Sequence, residues 1–165
     1  ASWSRGLGDV YKRQVLMSTV RLSSIRSRVA TALEGIVGAG LNQSPLPFDA
    51  FGRTPNSIAH KAFSVGIGGS NAMDDRQRPT EGAMLQTDLD ITFAFRLRPL
   101  DQLTDVDNQL NLENTIITAL LDRSNASLYP NLHIKLISTN RTLTDSGEYI
   151  LSTLSFEVLH FIPLS

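Results

Sequence analysis

The sequence predicts an α+β sandwich: a four-stranded antiparallel sheet with two helices packed on one face, in the order helix, strand, strand, helix, strand, strand (αββαββ). Three observations predict it. Apolar residues recur at spacings of three and four in two separate stretches, they alternate with polar residues from Leu85 to Arg98, and runs of glycine, proline and small polar residues fall between the periodic stretches.

The first helix is predicted from Ser18 onward. Leu22, Ile25, Val29, Ala32, Leu33 and Ile36 share one face, and Ser18 or Thr19 caps its start. Gly35, Gly38 and Gly40 end it, because glycine weakens a helix and takes left-handed geometry freely. Arg21, Arg26 and Arg28 lie off the stripe and are expected in solvent. Residues 41–58 contain Pro45, Pro47, Gly52 and Pro55, which predict an ordered, extended connection anchored by Leu46, Phe48 and Phe51. His60 to Ile67 then predicts a strand, with Ala62 and Ser64 on one side and Phe63, Val65 and Ile67 on the other.

Gly66 to Gly82 is rich in glycine and charge and shows neither hydrophobic period, so a long projecting loop is expected there. Leu85, Thr87, Leu89, Ile91, Phe93, Phe95 and Leu97 follow as one face of a long strand, which Pro99 stops. Thr104 and Asp107 form an approximate capping box for a second helix. Its stripe is Val106, Leu110, Glu113, Ile117 and Leu121, widened by Leu103, Ile116 and Leu120, and turn formers from Asp122 to Pro130 close it. Leu132, Ile134 and Leu136 predict a third strand, and a loop from Asn140 to Gly147 leads to a fourth, Glu148 to Ile162. That last strand is apolar on nearly both sides: Ile150, Leu154, Phe156, Val158 and Ile162 on one, Tyr149, Leu151, Leu159 and Phe161 on the other. A small sheet with helices on one face cannot hide all of these, so either a subunit contact or a covering loop from residues 41–58 is required.

A chain of 165 residues can bury roughly 68 to 70% of the surface its unfolded form exposes, so one core needs no staple. The absence of cysteine excludes a disulfide framework, a thiolate zinc site and a cysteine nucleophile together. A net charge of −1 argues against a broad basic footprint for nucleic acid. No apolar run approaches the ~20 residues that span a bilayer, and a soluble protein without membrane partners is expected. Residues 1–16 read as a non-native extension: Asp9-Val10-Tyr11-Lys12-Arg13-Gln14 resembles translated sequencing-adaptor DNA and precedes Met17. The expected single domain is therefore 17–165.

The search for chemistry yields little. Gly66-Ile67-Gly68-Gly69-Ser70-Asn71 approaches a dinucleotide-binding pattern but ends in asparagine, and no periodic helix opens there to face a pyrophosphate. Asp88 and Asp90 share a strand face at a separation of roughly 6.5 to 7 Å, without a third ligand at a useful spacing. His60, His133 and His160 fall in three strands, where convergence on a metal is one reading and separate structural roles the other. Gly-x-Ser-x-Gly is absent. No enzymatic activity, cofactor or metal is expected. The loop at residues 68–82 mixes Arg76 and Arg78 with Asp74, Asp75 and Glu81, a pattern suited to orienting a protein partner.

The succession of elements resembles the tail terminator (tail-completion, head-tail joining) proteins of tailed bacteriophages. The stretches that carry the resemblance are RLSSIRSRVATALEG, MDDRQRPTEGAMLQTDLDITFAFRLRP, VDNQLNLENTIITALL and YILSTLSFEVLHFIP, spread over nearly all of 18–162. The resemblance implies a non-enzymatic homo-oligomer, usually a hexameric ring. It would seat on the tail tube protein, end tube polymerisation and offer a surface to the head-tail connector, while genomic DNA passes through without specific binding. It implies a place in the tail or neck of the virion, assembled in the host cytoplasm. On loop length, charge and apolar pattern, Asp74, Asp75, Arg76 and Arg78 together with Tyr149, Leu151, Leu159 and Phe161 are the expected partner and subunit contacts. Another neck component, an injection-system cap, or a small metal-dependent enzyme using Asp88, Asp90 and a histidine are the alternatives.

Overall fold

The alternation from Leu85 to Leu97 becomes the central strand of a five-stranded sheet. The computed structural model describes residues 21–45, 58–72, 83–126, 128–129 and 132–162. In chain order the elements are α1 (Leu22–Glu34), β1 (Asn42–Gln43), β2 (Ala62–Ala72), β3 (Ala83–Arg96), α2 (Gln102–Leu121), β4 (His133–Leu143) and β5 (Tyr149–Ile162). The sheet order is β1-β2-β3-β5-β4. Both helices pack on one face, as the patterning predicts, and the architecture is α+β.

The sheet departs from four antiparallel strands. β1 adds a parallel edge, pairing Asn42 with Ala62 and Gln43 with Phe63, while all other pairs are antiparallel. The Asn42 N–H donates to the Lys61 carbonyl at 3.1 Å and the Ser44 N–H to that of Phe63 at 2.7 Å. Two polar residues carry no period, so β1 is invisible to pattern reading.

β2 also outruns its predicted end at Ile67. Its pairing with β3 shifts register between Ile67 and Ser70 and then resumes to Ala72. At the irregularity Gly68 lies against β3, where a Cβ would stand 3.2 Å from the Asp88 Cβ. Glycines that read as loop are thus a strand bulge, a place where backbone needs room. β4 likewise absorbs Asn140 to Leu143 from the expected loop, with a shift between Leu136 and Ser138. The side chain of Ile137 is left exposed there.

Between the layers, Phe63, Val65, Ile91, Phe93, Leu154 and Phe156 meet Ile25, Val29 and Leu33 of α1 and Leu112, Ile116 and Leu120 of α2. α1 begins after Arg21, whose side chain makes no cap bond. The predicted caps, Ser18 and Thr19, lie outside the described residues. Gly35 closes the helix, and Gly38 and Gly40 follow at φ 80° and 67°, where a side chain would be strained. Arg21 and Arg26 are exposed, whereas Arg28 is half-buried and donates from Nη1 to the Leu128 carbonyl at 3.4 Å.

The predicted face of α2 needs correction. Of the predicted stripe Glu113, Ile116 and Leu120 are buried and Val106 and Ile117 half-buried, but Leu103, Leu110 and Leu121 are exposed, and Asp105, Gln109 and Leu112 are buried in their place. Asp101, with no side-chain cap bond, replaces the expected capping box at Thr104. Hydrophobicity alone assigns a helix face wrongly when the polar residues of the true face have partners waiting.

Candidate functional site

The face of the sheet away from the helices carries the second set of sequence-predicted contacts. Tyr149, Leu151, Leu159 and Phe161 all lie there half-buried, opposite in pleat to Ile150, Leu154, Phe156 and Val158. Tyr149 and Leu151 join Ile58 in a small cluster on Ala62 and Ala94. At this end the covering segment is the remedy the chain uses, since Ile58 belongs to the 41–58 connection. Leu159 and Phe161 sit at the other end, opposite Gln86 and the exposed Met84 of β3. At about 3.4 Å per residue, Leu151 and Leu159 are roughly 27 Å apart, so the four do not form one patch.

Polar pairs occupy the middle of this face. Thr92 and Thr153 hydroxyls are 3.2 Å apart, and the Ser155 hydroxyl donates to Asp90 Oδ1 at 2.7 Å. Asp88 and Asp90 meet no histidine, and no group of three metal-ligating side chains occurs among the described residues. The three histidines separate: His160 is buried against Thr87 Oγ1 at 2.7 Å, His133 is exposed on β4, and His60 precedes β2. Asp74, Asp75, Arg76 and Arg78 lie outside the described residues.

Sequence reading missed two features. The first is a polar row along α2, in which Asp105 and Gln109 join Glu113 of the predicted stripe, each one helical turn from the next. Asp105 accepts from the Arg98 N–H at 2.7 Å and from Arg98 Nη2 at 3.0 Å. Glu113 accepts from Arg141 Nε at 2.7 Å and Nη2 at 2.5 Å. Gln109 ties Glu113 to β5, donating from Nε2 to Glu113 Oε2 at 2.8 Å and to the Ser152 hydroxyl. The i, i+4 spacing of Asp, Gln and Glu was the available signal.

Hydrogen bonds from Arg98 hold the Asp105 carboxyl below its ordinary value of 3.8. Such a group adds stability that is fully present above the unfolded-state value and lost as pH falls through the depressed folded value. Thermal unfolding of the wild type and Asp105→Asn should therefore differ most near neutral pH and converge below about pH 4. A gap that stays constant on acidification would show that the carboxylate charge is not what matters.

The second missed feature is a cleft of about 730 Å³ at the end of the sheet where β2 begins and β3 ends. His60, Lys61, Arg96 and Arg98 line it on one side and Asp105, Asn108 and Asn111 of α2 on the other. His60 packs edge-on against Phe95, with ring centres 4.7 Å apart, and its Nδ1 accepts the Arg96 N–H at 3.1 Å. Burial, then the charge of Lys61, pushes its pKa below 6.5, so the neutral ring carries its proton on Nε2. Lys61 has φ 61°, alone among the described non-glycine residues in taking a positive value. Arg98 is committed to Asp105, and at 3.7 Å to Asp101. Neither Lys61 nor Arg96 has an ion pair among the described residues. The concentration of fixed positive charge equips the cleft to hold a carboxylate or another anion.

Comparison with known proteins places the fold. No protein-family model matches the chain, and no curated protein does. Among solved structures, a chain from the virion of a native gene transfer agent particle is similar at a TM-score of 0.52 and 12% identity, over 83% of this chain and 94% of that one. At that identity the likeness concerns the fold. No described helix is long and apolar enough to cross a membrane. The α+β fold of this chain is thus one that a component of a phage-like particle also adopts.

Proposed function

We propose that this chain is a structural virion protein whose copies close into a ring, with six as the expected number. The ring caps the tail tube, ends its polymerisation and presents a surface to the head-tail connector, while DNA passes through without specific binding. The observation that carries this reading is the fold shared along 94% of a gene transfer agent virion chain. The order of elements that resembles tail terminators supports the finer assignment. A closed ring needs heterologous contacts, one patch meeting a different patch on the next copy. Asp74, Asp75, Arg76 and Arg78, with the half-buried Leu159 and Phe161 near the C-terminal end of β5, are the proposed contacts with the tube or neighbouring subunits. Tyr149 and Leu151 contribute behind Ile58. The reading assigns the chain no reaction, cofactor or metal.

The test is polymerisation of the cognate tube protein in the presence of residues 17–165, followed by electron microscopy and light scattering. Shortened tubes ending in a ring are expected. Unchanged tube growth with no ring in either preparation would overturn the assignment. Binding to the connector but not to the tube would instead favour another neck component.

A further inference from the structure

The cleft beside β3 lies apart from the contacts proposed for the ring. Its polar lining is cationic on the sheet side, with Lys61 and Arg96 free of acidic partners among the described residues. The stem of Lys61 crosses Gly40, whose ideal Cβ position lies 3.6 Å from the Lys61 Cδ. Glycine would hold the backbone at residue 61 without strain, yet a lysine stands there in left-handed geometry at a cost of about 1 kcal/mol or more. On the helix side Asp105 is taken up by Arg98, which leaves Lys61 and Arg96 facing the amides of Asn108 and Asn111, and Val37 leaves an almost wholly exposed apolar side chain at the rim. Together these suit a peptide with adjacent carboxylates and an apolar neighbour.

The sequence contains one adjacent pair of acids, Asp74-Asp75, preceded by Met73. It follows the far end of β2. That strand starts at the cleft and runs 11 residues, roughly 36 Å at about 3.3 Å per residue. Complementary groups at opposite ends of one strand satisfy each other between copies, head to tail, which is the contact type a ring requires.

We infer that the cleft lined by Lys61, Arg96 and Asn111 receives the Met73-Asp74-Asp75 segment of a neighbouring copy. This deepens the ring reading and rests on it for its biological meaning, but its test stands apart. The double variant Asp74→Lys/Asp75→Lys cannot fill its neighbour's cleft, so its own cleft is open in any oligomeric state. A fluorescent peptide of residues 72–83 is titrated into that variant at low salt and followed by anisotropy. Saturable binding is expected. Adding Lys61→Glu and Arg96→Glu to the protein, or replacing both peptide aspartates by asparagine, should weaken it at least tenfold.

No saturable binding, or binding indifferent to both changes, overturns the inference. Circular dichroism of each variant verifies folding. Binding together with a wild-type protein that forms no ring, alone or on tubes, would keep the site and discard the ring. A ring that persists with the same mass in the Asp74→Lys/Asp75→Lys variant would do the reverse.

Discussion

Phe93→Ala is expected to lower the unfolding free energy by about 3 to 5 kcal/mol. The side chain is fully buried on the central strand, with Phe63 as its β2 partner and Ser152 as its β5 partner. Removing the ring leaves a void that neighbours held in a paired sheet cannot collapse to fill. Denaturant titration measures it as a lower midpoint at an unchanged slope. A loss below about 1 kcal/mol would mean that the layer between sheet and helices repacks freely, contrary to the close core described.

Arg141→Ala is expected to cost about 2 to 3 kcal/mol. Glu113 is 2% exposed and its carboxylate depends on Arg141. Removing one partner of a fully buried pair costs about 3 to 5 kcal/mol, and the smaller figure follows because the arginine side chain is 44% exposed. Glu113→Gln in the Arg141→Ala background should recover most of the loss, because a neutral amide no longer needs a cation. If the double variant is as unstable as the single one, the penalty lies in packing of the arginine stem and not in a stranded charge.

Much of the fold was legible because its elements are one-pattern segments. α1 and β3 each follow a single period that their buried residues match, and β5, apolar on nearly both sides, alternates in burial as a strand must. The misses have separate physical causes. β1 is too short to show a period, the end of β2 is masked by glycines that a bulge requires, and the face of α2 is set by Arg98 of the preceding connection, Arg141 of β4 and Ser152 of β5. Arg141 and Ser152 stand 28 and 43 positions from their α2 partners, so the polar spacing on the helix shows a row but not what it meets.

The candidate contacts fared unevenly for the same reason. The pleat of β5 placed Tyr149, Leu151, Leu159 and Phe161 on one face, but the packing of Ile58 on Tyr149 and Leu151 and not on the other two had no local signal. The cleft was illegible, since His60 and Arg96 meet across 36 positions of sequence.

The polar row on α2 has a consequence for how that helix is seated. Apolar side chains at three- and four-residue spacing would pack almost as well after a slide of one turn, because oil is indifferent to which leucine it meets. Asp105, Gln109 and Glu113 are not interchangeable: a one-turn slide would set the amide of Gln109 before Arg98 and leave Arg141 facing Ile117. The row works as a key cut for a single lock position, fixing the helix along its axis where greasy contacts would let it drift.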